Sequence, residues 1–284
     1  RTLLIERETF PRPKPCGGAV AERTRALLGF PLPADLIERE IYGARIHYRD
    51  RSIEARKDRP LAVMVTRAHF DRFLADQAVQ AGAVLRQGEA VQGLTVHPDR
   101  VEVRTDRERY EARCVVGADG ANSLVGRSLR PLFPRDEIAT ALVGSAPAED
   151  GSIRSRLDGL LEMRFGVASM GYGWVFPHRD HYSVGVMGRA IDLVDPRRTF
   201  AAFAASVGLK ADGPYGHTIP WGGFSRPVIG PRTLLVGDAA GFADPFHGEG
   251  IYSAVLSGKL AADAVVRGIR GEKETLPRYA QECD

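Results

Sequence analysis

Two aliphatic runs constrain this chain more than any other feature in it. Cys114-Val115-Val116-Gly117 leads directly into Ala118-Asp119-Gly120, and Thr233-Leu234-Leu235-Val236 leads directly into Gly237-Asp238. A short, continuous apolar run reads as a strand buried on both faces, the kind found where helices cover a parallel sheet. A third run, Leu3-Leu4-Ile5, ends in Glu6-Arg7. Between the two aspartate-bearing runs the pattern changes. From about 131 to 225, alternating strands near 160–165, 172–176 and 181–187 dominate, broken by one helix over about 196–207. Buried strands enclosing an alternating, glycine-rich block imply an α/β (α+β) fold with an inserted antiparallel sheet. The boundaries read as 1–40, 66–130 and 226–284 for the α/β domain and 41–65 and 131–225 for the insert.

Local signals fill in the helices. Ala19 to Leu28 reads as a helix stopped by Gly29, and Thr66 is a suitable N-cap for a helix over 67–81 that places Phe70, Phe73, Leu74 and Ala78 on one face. A small-residue helix runs from about Gly250 to Arg267. With 44% apolar and 26% charged residues the chain is neither disordered nor fibrous, and a net charge of +3 gives no argument for nucleic acid. No run approaches the ~18 apolar residues of a membrane span. Cys16, Cys114 and Cys283 are too few and too scattered for a disulfide framework, so a reducing cytoplasm is expected. The chain opens on Arg1 directly before a strand, so both ends read as cut.

Chemistry gathers where the buried runs end. Glu6 stands where a dinucleotide-binding unit keeps the acid that bonds the adenosine ribose, although an ordinary charged strand end reads the same. Asp119-Gly120 allows a sharp turn beside a ligand, with Asn122 or Ser123 capping the next helix; a plain strand–turn–helix corner is the alternative. The third segment, Gly237 to Ile251, spends four glycines before a helix whose N-terminus offers unpaired amides and a positive dipole end to an anion or a polarised carbonyl. No Gly-x-Ser-x-Gly elbow or Walker loop is present. His178 and His181 sit in a turn with Asp180, without third and fourth ligands at zinc-like spacing, so no metal is expected.

In this order and spacing the motifs resemble the FAD-dependent oxidoreductases of the para-hydroxybenzoate hydroxylase fold. Lys14-Pro15-Cys16-Gly17-Gly18-Ala19 and Tyr172-Gly173-Trp174-Val175-Phe176-Pro177 narrow the likeness to the geranylgeranyl reductase family. The resemblance implies a Rossmann-like FAD-binding domain, here lacking its first βα unit and Gly-rich turn, with FAD as cofactor. It assigns Glu6 to the ribose, Arg7 and Val91 to the adenine, Arg67 to the phosphate–ribitol portion and Asp238 to the ribitol hydroxyls. Asp119 and Gly120 belong to the shared Asp-Gly motif. Gly248, Gly250 and Ile251 would turn backbone amides toward the pyrimidine edge, and Gly17 and Gly18 would pass close to the isoalloxazine. Two positions depart from the family pattern: Pro13 stands where many relatives have Tyr, and Met187 replaces the second glycine of a Gly-x-Gly that begins at Gly185.

The implied activity is reduction of isolated C=C bonds in a prenyl or related lipid, with a hydrophobic small molecule as substrate and NAD(P)H or a ferredoxin as electron donor. Cys16 is the candidate catalytic residue, as proton donor or conformational gate. Tyr172, Trp174 and Phe176, two apart on one strand, share a face and are the candidate substrate wall; a stripe packed against neighbouring strands is the alternative. A flavoprotein monooxygenase of the same fold and a non-catalytic, lipid-binding fragment are the competing functions. The expected location is cytoplasmic, with transient contact at a membrane surface.

Overall fold

The computed structural model describes residues 1–283. Two compact units emerge. Among the described residues the first comprises 1–12, 71–133 and 220–283, and the second comprises 13–70 and 134–219. Residues 13–40, expected with the α/β domain, fall in the second unit because strands Ala19–Ala21 and Arg39–Ile41 both pair with strand Ala62–Met64.

In the first unit, strand Leu3–Glu6 pairs in parallel with Val84–Gln87, setting Glu6 opposite Gln87. Strands Val115–Gly117 and Thr233–Leu235 are likewise parallel neighbours, Gly117 opposite Leu235. Of the three runs read as buried on both faces, only Thr233–Leu235 is so throughout. Leu3 is 38% exposed and Val116 41%, since a two- or three-stranded ladder leaves a strand face that no helix covers. Helix Ile251–Ile269 packs on the second ladder through a core of Leu234, Leu235, Ala239, Ala261, Ala264 and Tyr279. The Tyr279 hydroxyl donates to the Leu235 carbonyl at 2.5 Å, satisfying the one polar atom its ring brings inside.

The second unit is built on a seven-stranded sheet that includes Ile138–Pro147, Leu160–Phe165, Tyr172–Pro177 and His181–Arg189. The expected antiparallel sheet is in fact mixed, because Leu160–Phe165 runs parallel to Gly43–Tyr48. Helix Pro196–Ser206, capped by the Asp195 carboxylate on the Arg198 amide, lays Phe200 and Phe203 on this sheet against Val175, Val184 and Val186. Burying each ring contributes roughly 1.5–3 kcal/mol. Gly173 lies under the Phe203 ring and leaves no space for a Cβ. Two local readings differ from expectation. Ala19–Ala21 is a strand, with the helix confined to Glu22–Leu28 and ended by Gly29 at φ 78°. Strand Arg51–Arg56, exposed along its whole length, had no apolar signal to announce it.

Candidate functional site

The ends of the parallel strands carry the first unit's candidate groups. Glu6 is partly buried; its Oε2 accepts from Arg12 Nε at 3.1 Å and Nη2 at 3.0 Å, and its Oε1 from the Glu8 amide at 3.0 Å. Arg12 reaches Asp71 Oδ2 with its remaining nitrogen at 3.0 Å. A carboxylate has about four lone-pair positions, so this clamp orients Glu6 and leaves acceptor capacity for a hydroxyl. Arg12 and Asp71 were not read from the sequence, since neither belongs to a motif. Arg7 is exposed, 3.5 Å from Glu8 Oε1. Val91 opens strand Val91–Val96 beside a bulge before Gly93. Buried Glu89 anchors that approach by accepting from Thr105 Oγ1 at 2.6 Å and the Tyr110 hydroxyl at 2.9 Å.

The two aspartates are employed differently. Asp119 binds its own helix: Ser123 Oγ donates to Oδ1, and the Leu124 and Val125 amides donate to Oδ2 at 2.6 and 3.2 Å. Ser123 in turn caps the Gly126 amide at 2.7 Å. This satisfies amides that a helix start otherwise leaves open. Gly120 has φ 77°, and a Cβ there would meet nothing within 4 Å. Asp238 lies in the turn Gly237–Ala240, which the buried Ser257 hydroxyl ties to helix Ile251–Ile269 by accepting from the Gly237 amide at 3.0 Å. A Cβ on Gly250 would come 3.2 Å from Asp238 Oδ1, so the carboxylate stands beside the helix N-terminus.

Between them the loop closes on Asp244, whose Oδ1 accepts from the Phe246 and His247 amides, each at 2.9 Å. Here one expectation changes. The Gly248 amide donates to the Asp244 carbonyl at 2.9 Å, so it is turned into the loop, and at φ 68° Gly248 serves the turn. The first i→i−4 bond of the helix runs from the Ala254 amide to the Gly250 carbonyl at 2.9 Å. A helix starts with amides that lack an intrahelical carbonyl one turn back, and Ile251 is where this 19-residue helix starts. An acid beside glycine-lined turns and an open helix N-terminus is a donor set suited to a ligand with both hydroxyls and an electron-rich edge. FAD fits that description.

The second unit holds Cys16, Gly17, Gly18, Arg67 and the three aromatics. Tyr172, Trp174 and Phe176 share one strand face, with successive ring centroids 6.1 Å apart, and all three are buried. The face is occupied from within the unit. Trp174 lies across Gly185, and its Nε1 donates to Ser183 Oγ at 3.3 Å; Tyr172 meets Phe165 at 5.5 Å. A Cβ on Gly17 would fall 2.8 Å from Phe176 Cδ2 and 3.5 Å from Trp174 Nε1, so the Cys16–Gly18 loop rests on these rings. Met187, the departure from the family pattern, is buried opposite Tyr172 on the next strand. Cys16 is half-buried, its Sγ 3.5 Å from the Gly18 amide. By contrast, burial pushes the Cys114 thiol up to about 11, which keeps it protonated and inert. Arg67 opens helix Arg67–Gln80. Thr66 precedes it and gives the helix its carbonyl, 3.0 Å from the Phe70 amide, while its hydroxyl donates to Glu38. His178 and His181 stack at 4.5 Å, each with its own carboxylate, Glu38 and Asp180.

Comparison with known proteins points to the same cofactor. Residues 18–150 match the FAD binding domain family. The chain is 32% identical to geranylgeranyl diphosphate reductase of Rhodobacter capsulatus, over 92% of this chain and 68% of that one. It is 27% identical to menaquinone reductase of Mycolicibacterium smegmatis, over 99% of this chain and 74% of the relative. Against tobacco geranylgeranyl diphosphate reductase it spans 64% of the relative's length. The fold superposes, at a TM-score of 0.87 and 23% identity, on a geranylgeranyl bacteriochlorophyll reductase-like protein from Thermoplasma acidophilum, covering 100% of this chain and 76% of that one. Among the described residues no helix is long and apolar enough to cross a membrane. The sequence relationship places the chain in the geranylgeranyl reductase family of FAD-dependent oxidoreductases.

Proposed function

We propose that this protein reduces isolated C=C bonds of a prenyl chain. The observation that carries the reading is the seat of the Cys16–Gly18 loop on the rings of Trp174 and Phe176, which joins a thiol to an electron-rich apolar stripe. Bound and reduced, FAD supplies a hydride. Glu6, Arg7, Val91, Asp119, Gly120 and Asp238 would hold it through ribose, adenine and ribitol, with the amides of Gly250 and Ile251 meeting negative charge and Gly248 shaping the turn. For Arg67, Gly17 and Gly18 the flavin role rests on the family resemblance.

The remaining chemistry belongs to the protein. An unactivated alkene is not electrophilic, so a proton must reach one carbon as hydride reaches the other, and positive charge develops on the more substituted carbon. Cys16 Sγ is the group that can hold that proton. The rings of Tyr172, Trp174 and Phe176, packed beneath the Cys16–Gly18 loop, set electron-rich density behind the thiol and favour positive charge beside it, and a prenyl chain gains roughly 25 cal/mol per Å² of apolar surface it buries.

The test is anaerobic turnover with chemically reduced flavin on geranylgeranyl diphosphate and on menaquinone, followed by mass spectrometry. A gain of two hydrogens per double bond supports the proposal, and the better substrate identifies the head group. Oxygen-dependent insertion of one oxygen atom in place of saturation overturns it. Trp174→Ala should lower turnover at unchanged flavin content, because the Cys16–Gly18 loop loses part of its seat.

A further inference from the structure

We infer that His178 is a positioning residue for Cys16: paired with Glu38, its ring donates to the Gly17 carbonyl and so fixes the Cys16–Gly18 loop. The inference rests on the reductase reading for what the loop does, and on this structure alone for how the loop is held.

His178 is 4% exposed. Its Nδ1 lies 2.7 Å from Glu38 Oε2 and its Nε2 lies 3.0 Å from the Gly17 carbonyl oxygen. Both neighbours are acceptors. A neutral imidazole carries one N–H and can serve only one of them, whereas an imidazolium serves both. Glu38 is equipped to keep its charge. Burial by itself would raise its carboxyl, but the hydrogen bonds from His178 and Thr66, the His178 charge and the Arg179 amide outweigh this and hold it at about 2. The Glu38 amide donates to the Met64 carbonyl at 2.9 Å, and Arg39 grips the His178 carbonyl, so both partners sit on fixed backbone.

The loop is tied at two successive carbonyls, Gly17 by His178 and Gly18 by the Val65 amide at 2.9 Å. Gly18 takes φ 84°, and a Cβ there would lie 2.6 Å from both His178 Cε1 and the Val65 carbonyl oxygen. Releasing the His178 bond frees the Gly17–Gly18 peptide, one residue beyond Cys16. The charged and titratable groups around the ring are Glu38, His181 stacked on it and paired with Asp180 at 2.8 Å, Cys16 beyond Gly17, and Arg39 and Arg179 along the backbone.

The substitutions separate the two ring nitrogens. His178→Asn can reach toward Glu38 but not Gly17, and His178→Gln retains a donor near the Nε2 position. The readout is iodoacetamide labelling of the Cys16 peptide by mass spectrometry, normalised to a cysteine-free peptide of the same digest, together with amide exchange over 17–19. We expect His178→Asn to speed both about tenfold and His178→Gln to stay within about threefold of wild type. Glu38→Gln weakens the partner that fixes Nδ1, so labelling should rise severalfold over wild type while staying below His178→Asn. Equal behaviour of His178→Asn and His178→Gln, or wild-type labelling in Glu38→Gln, overturns the inference; the Gln variants keep it testable if His178→Asn does not fold. In active enzyme His178→Asn lowers kcat about tenfold at unchanged KM and flavin content, and an unchanged kcat overturns it. Labelling and exchange read the loop whether or not a prenyl alkene is reduced, so a failed clamp and a failed reductase assay are distinct results.

Discussion

A Cβ added at Gly17 would fall 2.8 Å from Phe176 Cδ2, while one at Gly250 would meet Asp238 Oδ1 at 3.2 Å and then only Ala243 Cβ at 4.0 Å. The two glycine-rich segments look alike in sequence and answer different needs. Around Cys16 the glycines are required because the protein itself fills the space, with rings below and an imidazole alongside. In the other segment Gly237 and Gly241 are packed against Ala254 and against Arg226 and Phe133, and Gly250 leaves room, beside the Asp238 carboxylate at a helix N-terminus. Glycine enrichment alone therefore does not mark a ligand. What marks it is glycine where the atoms a Cβ would meet are few and polar.

Gly18→Ala should produce the largest effect, because it breaks the filled segment. A non-glycine residue at φ 84° is strained, and its Cβ would lie 2.6 Å from the Val65 carbonyl, which is backbone and cannot turn aside. The expected loss is about 3 kcal/mol or more of stability, read as a lower denaturant midpoint. A variant as stable as wild type would show that the loop has slack the structure lacks.

Asp238→Ala comes next and addresses the open segment. Losing a charge-assisted hydrogen bond costs about 1.5–3 kcal/mol, or roughly 10- to 150-fold in flavin affinity. Flavin titration of the apoprotein measures it. Full retention of flavin would remove Asp238 from the cofactor site.

The same contrast explains what could be read in advance. Thr233–Leu235 and the helices Arg67–Gln80, Pro196–Ser206 and Ile251–Ile269 carry their own periodicity, and the shared face of Tyr172, Trp174 and Phe176 follows from strand alternation alone. Local signals fail where a distant partner decides. Ala19–Ala21 has helical composition but is drawn into a strand by Ala62–Met64. Charged Arg51–Arg56 becomes a strand only by pairing with Gly43–Tyr48. The His178–Gly17 bond spans 161 residues and leaves no local pattern at either end. The backbone-built half of the candidate site was legible for that reason, and the clamp assembled from Glu38, Thr66 and His178 was not.

Acid should loosen the filled segment selectively, with a smaller effect. The Glu38 carboxyl is depressed from its ordinary 4.5 to about 2 in the folded protein. Its contribution is complete above 4.5 and is lost as pH falls from there toward about 2, because the unfolded chain takes up the proton first. Melting curves between pH 6 and 3 should fall less steeply for Glu38→Gln than for wild type. Identical slopes would mean that the carboxylate contributes nothing through its charge.

Gly250→Ala should have the smallest effect on the fold and is the sharpest test of the comparison. Gly250 sits at φ −112° and ψ −20°, a conformation alanine adopts without strain. Its new Cβ would touch only the Asp238 carboxylate edge, whose flexible side chain can yield by a few tenths of an ångström. Stability should stay within about 0.5 kcal/mol of wild type, in contrast to Gly18→Ala. Flavin affinity should nevertheless drop, because the methyl group occupies the approach to the Ile251 amide and displaces the acid beside it. A variant that melts like wild type but binds flavin several-fold more weakly separates space kept for a ligand from space taken by the protein. If both quantities remained at wild-type values, the helix N-terminus would be an ordinary corner and the flavin contacts would have to be sought elsewhere along the first unit.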